Sequence, residues 1–127
     1  RAALALLSRT GMTLRVEQLI ARELADYRAA RTGNDPAKAW IALERAHILS
    51  QPYLVPHLAN HWEMLKFSAA ERDVKEIVGQ IARLALAPLG SLTGRIPVGN
   101  TGRSDVSAFK SMPIPEDLRD DLARHDN

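Results

Sequence analysis

Four titratable side chains fall on the apolar faces of predicted helices: Glu23, His47, His57 and His61. A neutral polar group that is buried without a hydrogen bond costs about 2–7 kcal/mol, so each of these side chains needs a partner. The nearest partners are one another, and we expect Glu23 and His47 to lie within hydrogen-bonding reach or to share one ion. The sequence thus predicts a polar cluster inside a helical core.

A metal site is one interpretation of this cluster. His57 and His61 are one helical turn apart, the spacing that lets two imidazoles reach one ion. With His47 and Glu23 they form a set of three imidazoles and one carboxylate, which suits Zn, Fe, Mn or Ni. Glu44, one turn before His47, is the candidate supporting or substitute carboxylate. The His-Glu-x-x-His protease motif is absent, because a leucine follows His57.

The alternative is a buried hydrogen-bond network without an ion. Glu23 would accept hydrogen bonds from His47 and from the donors of Tyr27 or Trp40, and a satisfied network of this kind fixes one helix register. The sequence favours this alternative, and with it a non-catalytic binding or interaction module. Its partner would be another protein or a second copy of the chain. A metal-binding or metal-dependent protein is the competing prediction.

A glycine-rich stretch offers a second candidate site. Residues 94–101 have the spacing of a phosphate-binding loop, but Asn100 stands where that loop needs a lysine, and a helix rather than a strand precedes it. The simpler interpretation is a turn whose polar side chains bond the local backbone. The candidate anion-binding residues here are Arg95, Asn100, Thr101 and Arg103.

Apolar spacing predicts an all-α fold with four main helices in two antiparallel hairpins and a short last helix. The helices are expected at 14–31, at 36–51, from about 56 to 70 and from 74 to Pro88, and the last begins near 116. The pattern Ala39, Leu43 and Ala46 before Pro52 is similar to a tetratricopeptide-type hairpin. Both tryptophans lie on apolar stripes and are predicted core residues.

The remaining segments carry separate expectations. Residues 89–113 are too rich in glycine and proline for a helix, and their spaced apolar residues predict a segment that wraps the bundle. Ile96 and Phe109 should be buried, and residues 100–105 should form an ordered loop. Residues 1–12 are expected to be an extension or leader, with Met12 as a possible natural start, and 13–127 a single domain.

Composition excludes several function classes. The 17 basic and 15 acidic residues are interspersed and give a net charge of +2, so neither nucleic acid nor a membrane is an expected partner. No cysteine is present, which removes disulfides and thiolate ligands and fits a cytoplasmic protein. No serine lies in a nucleophile-elbow context, and no catalytic residue is assigned.

Several short motifs between about Leu14 and Leu118 carry a family resemblance. They are Leu43-Glu44-Arg45-Ala46-His47, Pro56-His57, His61-Trp62, the residues from Leu84 to Arg95, Pro97-Val98-Gly99-Asn100-Thr101-Gly102-Arg103, Val106 to Phe109 and Met112 to Pro115. Over this range the chain resembles a bacterial family, the domain of unknown function 3703. The resemblance implies a small, soluble, helical bacterial protein and implies no activity.

Overall fold

The computed structural model describes residues 12–93 and 97–124. It contains five helices in those ranges and no strand, which confirms the all-α prediction. They are α1 (Leu14–Thr32), α2 (Pro36–Ser50), α3 (Leu54–Ala70), α4 (Val74–Thr93) and α5 (Glu116–Ala123). None of them is both long enough and apolar enough to cross a membrane.

Local capping sets the starts of three helices. The Thr13 hydroxyl accepts a hydrogen bond from the Val16 amide at the start of α1, at 3.2 Å. Asp35 caps α2, where Pro36 occupies the first turn, and Asp73 accepts from the Glu76 amide at 3.1 Å at the start of α4. Each side chain satisfies a backbone donor that the helix itself leaves free.

The predicted end of α4 was wrong. The helix does not stop at Pro88 but continues to Thr93, with the proline inside it. An interior proline removes one hydrogen bond and costs about 3 kcal/mol, yet it does not stop a helix that neighbouring contacts hold. Residues 89–93 therefore belong to α4 and not to the wrapping segment.

Two apolar clusters hold the helices together. α1 packs on α2, α2 on α3, and α3 on α4. The first cluster joins Tyr27 of α1, Leu43 of α2, and Met64 and Phe67 of α3. The second brings Leu118 of α5, which is fully buried, against α1 and α2. The short last helix is thus part of the bundle.

The apolar stripe of α4 faces solvent. Val74, Val78 and Ile81 are 70%, 62% and 54% exposed, whereas Glu76 and Gln80 on the opposite side are 2% and 0% exposed. The polar side of α4 therefore faces the rest of the protein, because the elements that α4 packs against carry polar groups that need partners.

The prediction that both tryptophans lie in the core was wrong for Trp62. Trp62 on α3 is 54% exposed. Trp40 on α2 packs against the first apolar cluster, as expected of a core residue. Spacing placed both on apolar stripes, but the stripe of α3 is wider than the face that its neighbours cover.

The segment from 97 to 115 crosses the bundle without regular structure. Met112 donates its amide to the Val98 carbonyl at 2.9 Å, which closes the segment into a loop. Gly99 has a positive φ of 80°, and a Cβ there would overlap the Met112 carbonyl. Phe109, predicted to be buried, is 73% exposed, since the loop turns it outward. Ile96 and residues 1–11 lie outside the described residues, so those predictions stay untested.

Candidate metal centre

Three histidines meet at one point inside the described part of the chain. The Nε2 atom of His47 lies 3.0 Å from that of His57 and 3.1 Å from that of His61, and the last two are 3.0 Å apart. All three residues are buried. Their donor atoms are close enough together to hold one metal ion.

The backbone of Asn100 sets the tautomer of His47. The Nδ1 atom of His47 lies 2.7 Å from the Asn100 carbonyl oxygen. A carbonyl oxygen can only accept, so Nδ1 must carry the proton and donate it. The neutral imidazole then presents a lone pair at Nε2, towards the other two rings.

Gln80 does the same for His61. Its Nε2 donates to the Gly102 carbonyl at 2.9 Å, which leaves its Oε1 directed at the Nδ1 of His61, 2.7 Å away. His61 therefore also carries its proton on Nδ1 and a lone pair on Nε2. Two lone pairs face each other 3.1 Å apart, an arrangement that repels unless a proton or cation lies between them.

Burial keeps the three rings neutral. It is the largest cause that lowers the pKa of His57 to about 4, with the neighbouring His61 adding to it. Burial and the other two histidines hold the pKa of His47 well below its usual range. Burial also lowers the pKa of His61, although its bond to Gln80 opposes the shift. Neutral imidazole is the form that binds a metal ion.

Close backbone packing fixes the position of His47. Gly102 lies directly against its ring, with a φ of +82°. A Cβ at that position would lie 2.6–2.9 Å from three atoms of the imidazole. Only glycine fits both the backbone conformation and the space.

Asn100 orders the turn that carries Gly102. Its Oδ1 accepts from the Gly102 amide at 2.9 Å, and its Nδ2 donates to the carbonyls of Ser107 and Lys110. The side chain is only 2% exposed. The turn within residues 100–105 is thus held by internal hydrogen bonds.

The predicted contact between Glu23 and His47 was wrong. Glu23 is buried, but its Oε1 accepts from the Nε of Arg45 at 2.9 Å and lies 3.4 Å from the Nη2 of Arg22. Arg45 also forms a bidentate pair with Asp117 at the start of α5. Arg45 and His47 are two residues apart on α2 and point to different sides of it, so Glu23 belongs to a separate ion-pair cluster.

Glu44 is likewise turned away from the histidines. It lies 3.6 Å from the Nη1 of Arg103, and burial raises its pKa. Arg103 also pairs with the buried Glu76 through its Nε, and its guanidinium lies 3.7 Å from the ring centroid of Trp40. Arg103 therefore holds the loop against α2 and α4 through these contacts.

The predicted anion-binding loop remains untested. Asn100 and Arg103 are engaged in the internal contacts described above, and the Thr101 hydroxyl lies 3.4 Å from the amide of Arg103, which donates to it. Arg95 lies outside the described residues. These contacts give the loop a structural role at the histidine cluster.

Sequence reasoning missed two side chains of α4 beside the histidines. Gln80 orients His61, and Arg83 lines the cavity next to the rings. The signal was present in the spacing of Glu76, Gln80 and Arg83, which share the side of α4 opposite its apolar stripe. Polar residues that recur every three or four positions on an otherwise apolar helix share one side of it. Such a side can be exposed to solvent, or it can face a buried polar site.

Comparison with known proteins identifies a family. The family described as "Protein of unknown function (DUF3703)" matches residues 14–122 of the chain. No curated protein and no solved structure matches it significantly.

Proposed function

The chain belongs to DUF3703, and we propose that it binds a divalent transition-metal ion at His47, His57 and His61. The observation that carries the proposal is the orientation of the rings. Two imidazoles are held by acceptors on Nδ1 so that their Nε2 lone pairs converge. Histidine ligands of metal ions almost always donate their other ring N–H in this way.

The distances fit an ion. Because the three Nε2 atoms are 3.0–3.1 Å apart, the point equidistant from them is about 1.8 Å from each, slightly less than the Zn–N bond length of about 2.0–2.1 Å. The three nitrogens are thus close enough together to hold one such ion. All three histidines line a cavity, which leaves space for a further ligand. Three protein ligands and an open position are typical of sites that bind or activate a small molecule.

The donor set narrows the choice of metal. With Glu23 elsewhere, the cluster offers three imidazole nitrogens and no carboxylate oxygen among the described residues. Imidazole suits Zn, Cu, Fe and Ni, whereas Mn favours oxygen ligands. We therefore expect Zn²⁺, Ni²⁺, Cu²⁺ or Fe²⁺ to bind and Mn²⁺ to bind weakly.

Metal titration of the metal-free protein tests this function. We expect one equivalent of Zn²⁺ or Co²⁺ per chain. His57→Ala should weaken binding by more than the about 10–100-fold that is typical of losing a supporting partner. His125→Ala, outside the described residues, is the matched control and should leave binding unchanged. If the protein takes up no metal and its melting temperature is unaffected by added ions, the histidines form a hydrogen-bond network only.

A second candidate function, an interaction module, is favoured by the outward face of α4. Val74, Val78, Ile81 and Ala85 are exposed and recur at intervals of four, three and four residues. This is the spacing of a coiled-coil seam, and a second copy of the chain would present the same seam. Under this proposal α4 pairs with α4 of a second copy.

The molar mass in solution tests the pairing. Ile81→Lys should reduce a dimer to a monomer in light scattering, because a buried lysine on the seam is costly. Ile41→Lys is a matched control, since Ile41 on α2 is 55% exposed and Ile81 54%. A wild-type protein that is monomeric at high concentration would exclude this partner.

A further inference from the structure

A cavity of about 260 Å³ opens beside the three histidines. This is just below the about 300–1,000 Å³ of sites for drug-sized ligands, so it suits a smaller molecule. Its walls away from the histidines are mostly apolar. The apolar lining residues are Leu86, Ala87, Leu89, Pro97, Ala108 and Phe109.

The only full positive charge among the described lining residues is that of Arg83, and none of them is a carboxylate. Arg83 donates to the Gly79 carbonyl at 3.2 Å through Nη1 and to the Val106 carbonyl at 2.6 Å through Nη2. Each of these nitrogens has a second N–H, and neutral carbonyls do not balance the charge of the guanidinium. Glu76 and Asp105 are the carboxylates that act on its charge, but neither forms an ion pair with it among the described residues, and Glu76 is already paired with Arg103.

A metal ion would add to this imbalance. Three neutral imidazoles contribute no negative charge, so a divalent ion on them would bring two further positive charges next to Arg83. Unbalanced charges in a site of low dielectric constant are costly, and an anion that enters the cavity relieves that cost.

We propose that the cavity binds a small carboxylate with an apolar body, whose carboxylate lies between the metal ion and Arg83 and whose apolar part lies against Leu86, Ala87 and Phe109. This inference rests on the proposed metal site. Guanidinium matches the planar geometry of a carboxylate, and the carboxylate can fill the open position of the metal. The apolar walls select against small hydrophilic anions.

Cobalt(II) serves as the probe, since its visible absorption reports both metal uptake and a change of the fourth ligand. Cobalt uptake is measured first, and hexanoate, acetate and 1-hexanol are then titrated into the loaded protein. We expect hexanoate to bind about 10-fold or more tightly than acetate, because its methylenes leave water. 1-Hexanol, which lacks the charge, should leave the spectrum unchanged.

Two variants test the carboxylate and the apolar part of the ligand separately. Arg83→Gln should weaken hexanoate binding by about 10-fold or more, with Arg83→Lys intermediate. Cobalt affinity should not fall in Arg83→Gln, because the substitution removes a positive charge beside the ion. Phe109→Ala, at an exposed position, should weaken hexanoate and leave acetate unchanged. Failure of cobalt uptake would overturn both the metal site and this inference. Cobalt uptake with no response to hexanoate, or with equal responses to hexanoate and acetate, would overturn this inference alone.

Discussion

At the scale of single residues, the amide of Gln80 determines which nitrogen of His61 is free. Gln80→Leu removes the acceptor at 2.7 Å from Nδ1. The ring can then carry its proton on Nε2, where it blocks a ligand. We expect zinc affinity to fall by about 10–100-fold, the usual effect of losing such a partner. Competition with a chelator of known affinity measures it.

Two further substitutions serve as controls for Gln80. Gln80→Glu keeps an acceptor for His61 and should retain more of the zinc affinity than the leucine variant. Gln18→Leu, at an exposed position on α1, should change nothing. Equal zinc affinities for wild type and Gln80→Leu would show that the Nδ1 partner does not orient the ligand.

Gly102 provides a second test at this scale, through shape rather than hydrogen bonding. Gly102→Ala places a methyl group 2.6–2.9 Å from the His47 ring in a left-handed backbone conformation. We expect a loss of about 1–3 kcal/mol in the free energy of unfolding, together with weaker zinc binding. Chemical denaturation and zinc titration measure the two effects.

Gly33→Ala is the matched control for Gly102→Ala. Gly33 has a φ of −78°, and a Cβ there would meet its nearest neighbour, the Ala29 carbonyl oxygen, at an ordinary 3.4 Å. Its stability should therefore stay close to that of the wild type. A Gly102→Ala protein as stable and as zinc-competent as Gly33→Ala would contradict the close approach to His47.

At the scale of elements, Glu76 links α4 to the loop that carries Gly102. The carboxylate accepts from the Ser104 amide at 2.8 Å and from Arg103. Burial acts to raise the pKa of Glu76, but hydrogen bonds from Ser104 and Arg103 outweigh it and lower the pKa overall. A carboxylate with a lowered folded pKa stabilises the fold above its unfolded pKa, and the contribution is lost as the pH falls through the folded pKa.

Acid should therefore destabilise the wild type through Glu76. We expect Glu76→Gln to be less stable than the wild type at pH 7, since a neutral amide cannot pair with Arg103. Below about pH 4, the ordinary range of a glutamate pKa, the difference should shrink. Melting temperatures of both proteins from pH 7 to pH 3 measure this. A constant difference across that range would exclude the carboxylate as its source.

The helices also show which features of the fold a sequence pattern can predict. Helix starts follow from local capping by Thr13, Asp35 and Asp73, and the one-turn spacing of His57 and His61 is local too. Which side of a helix meets which neighbour is a tertiary property. An apolar stripe usually marks the inner face, yet on α4 that stripe is outside because Glu76 and Gln80 serve the loop and the histidines.

The same limit explains the error at Glu23. Its burial was predictable from its place between apolar residues of α1, but α2 offers both His47 and Arg45 within two positions. The rotation of α2 about its own axis decides whether Glu23 meets the imidazole of His47 or the guanidinium of Arg45. No local sequence pattern predicts that rotation. The convergence of three histidines was predictable from the sequence pattern. The spacing on α4 marks Gln80 only as part of a polar side, and the fold was needed to show that Gln80 and Asn100 are the acceptors for the histidine Nδ1 protons.

At the scale of the whole molecule, the histidine cluster joins segments that are far apart in sequence. His47 comes from α2, and His57 and His61 from α3. Gln80 comes from α4, and Asn100 from the loop. An ion that binds only the folded arrangement stabilises all of these contacts together. At a free concentration 100 times the dissociation constant, the gain is about 2.7 kcal/mol.

Amide hydrogen exchange should show this coupling directly. Zinc should slow exchange by up to about 100-fold at amides that open with the site, including those of Asn100 and Gly102 in the loop. The loop should already be protected in the metal-free protein, because Asn100 and Arg103 hold it by internal bonds. In His57→Ala, the same zinc concentration should slow exchange much less, because binding is weaker. Loop amides that exchange at unfolded-chain rates without zinc would instead make residues 97–113 a binding arm that becomes ordered only with its partner.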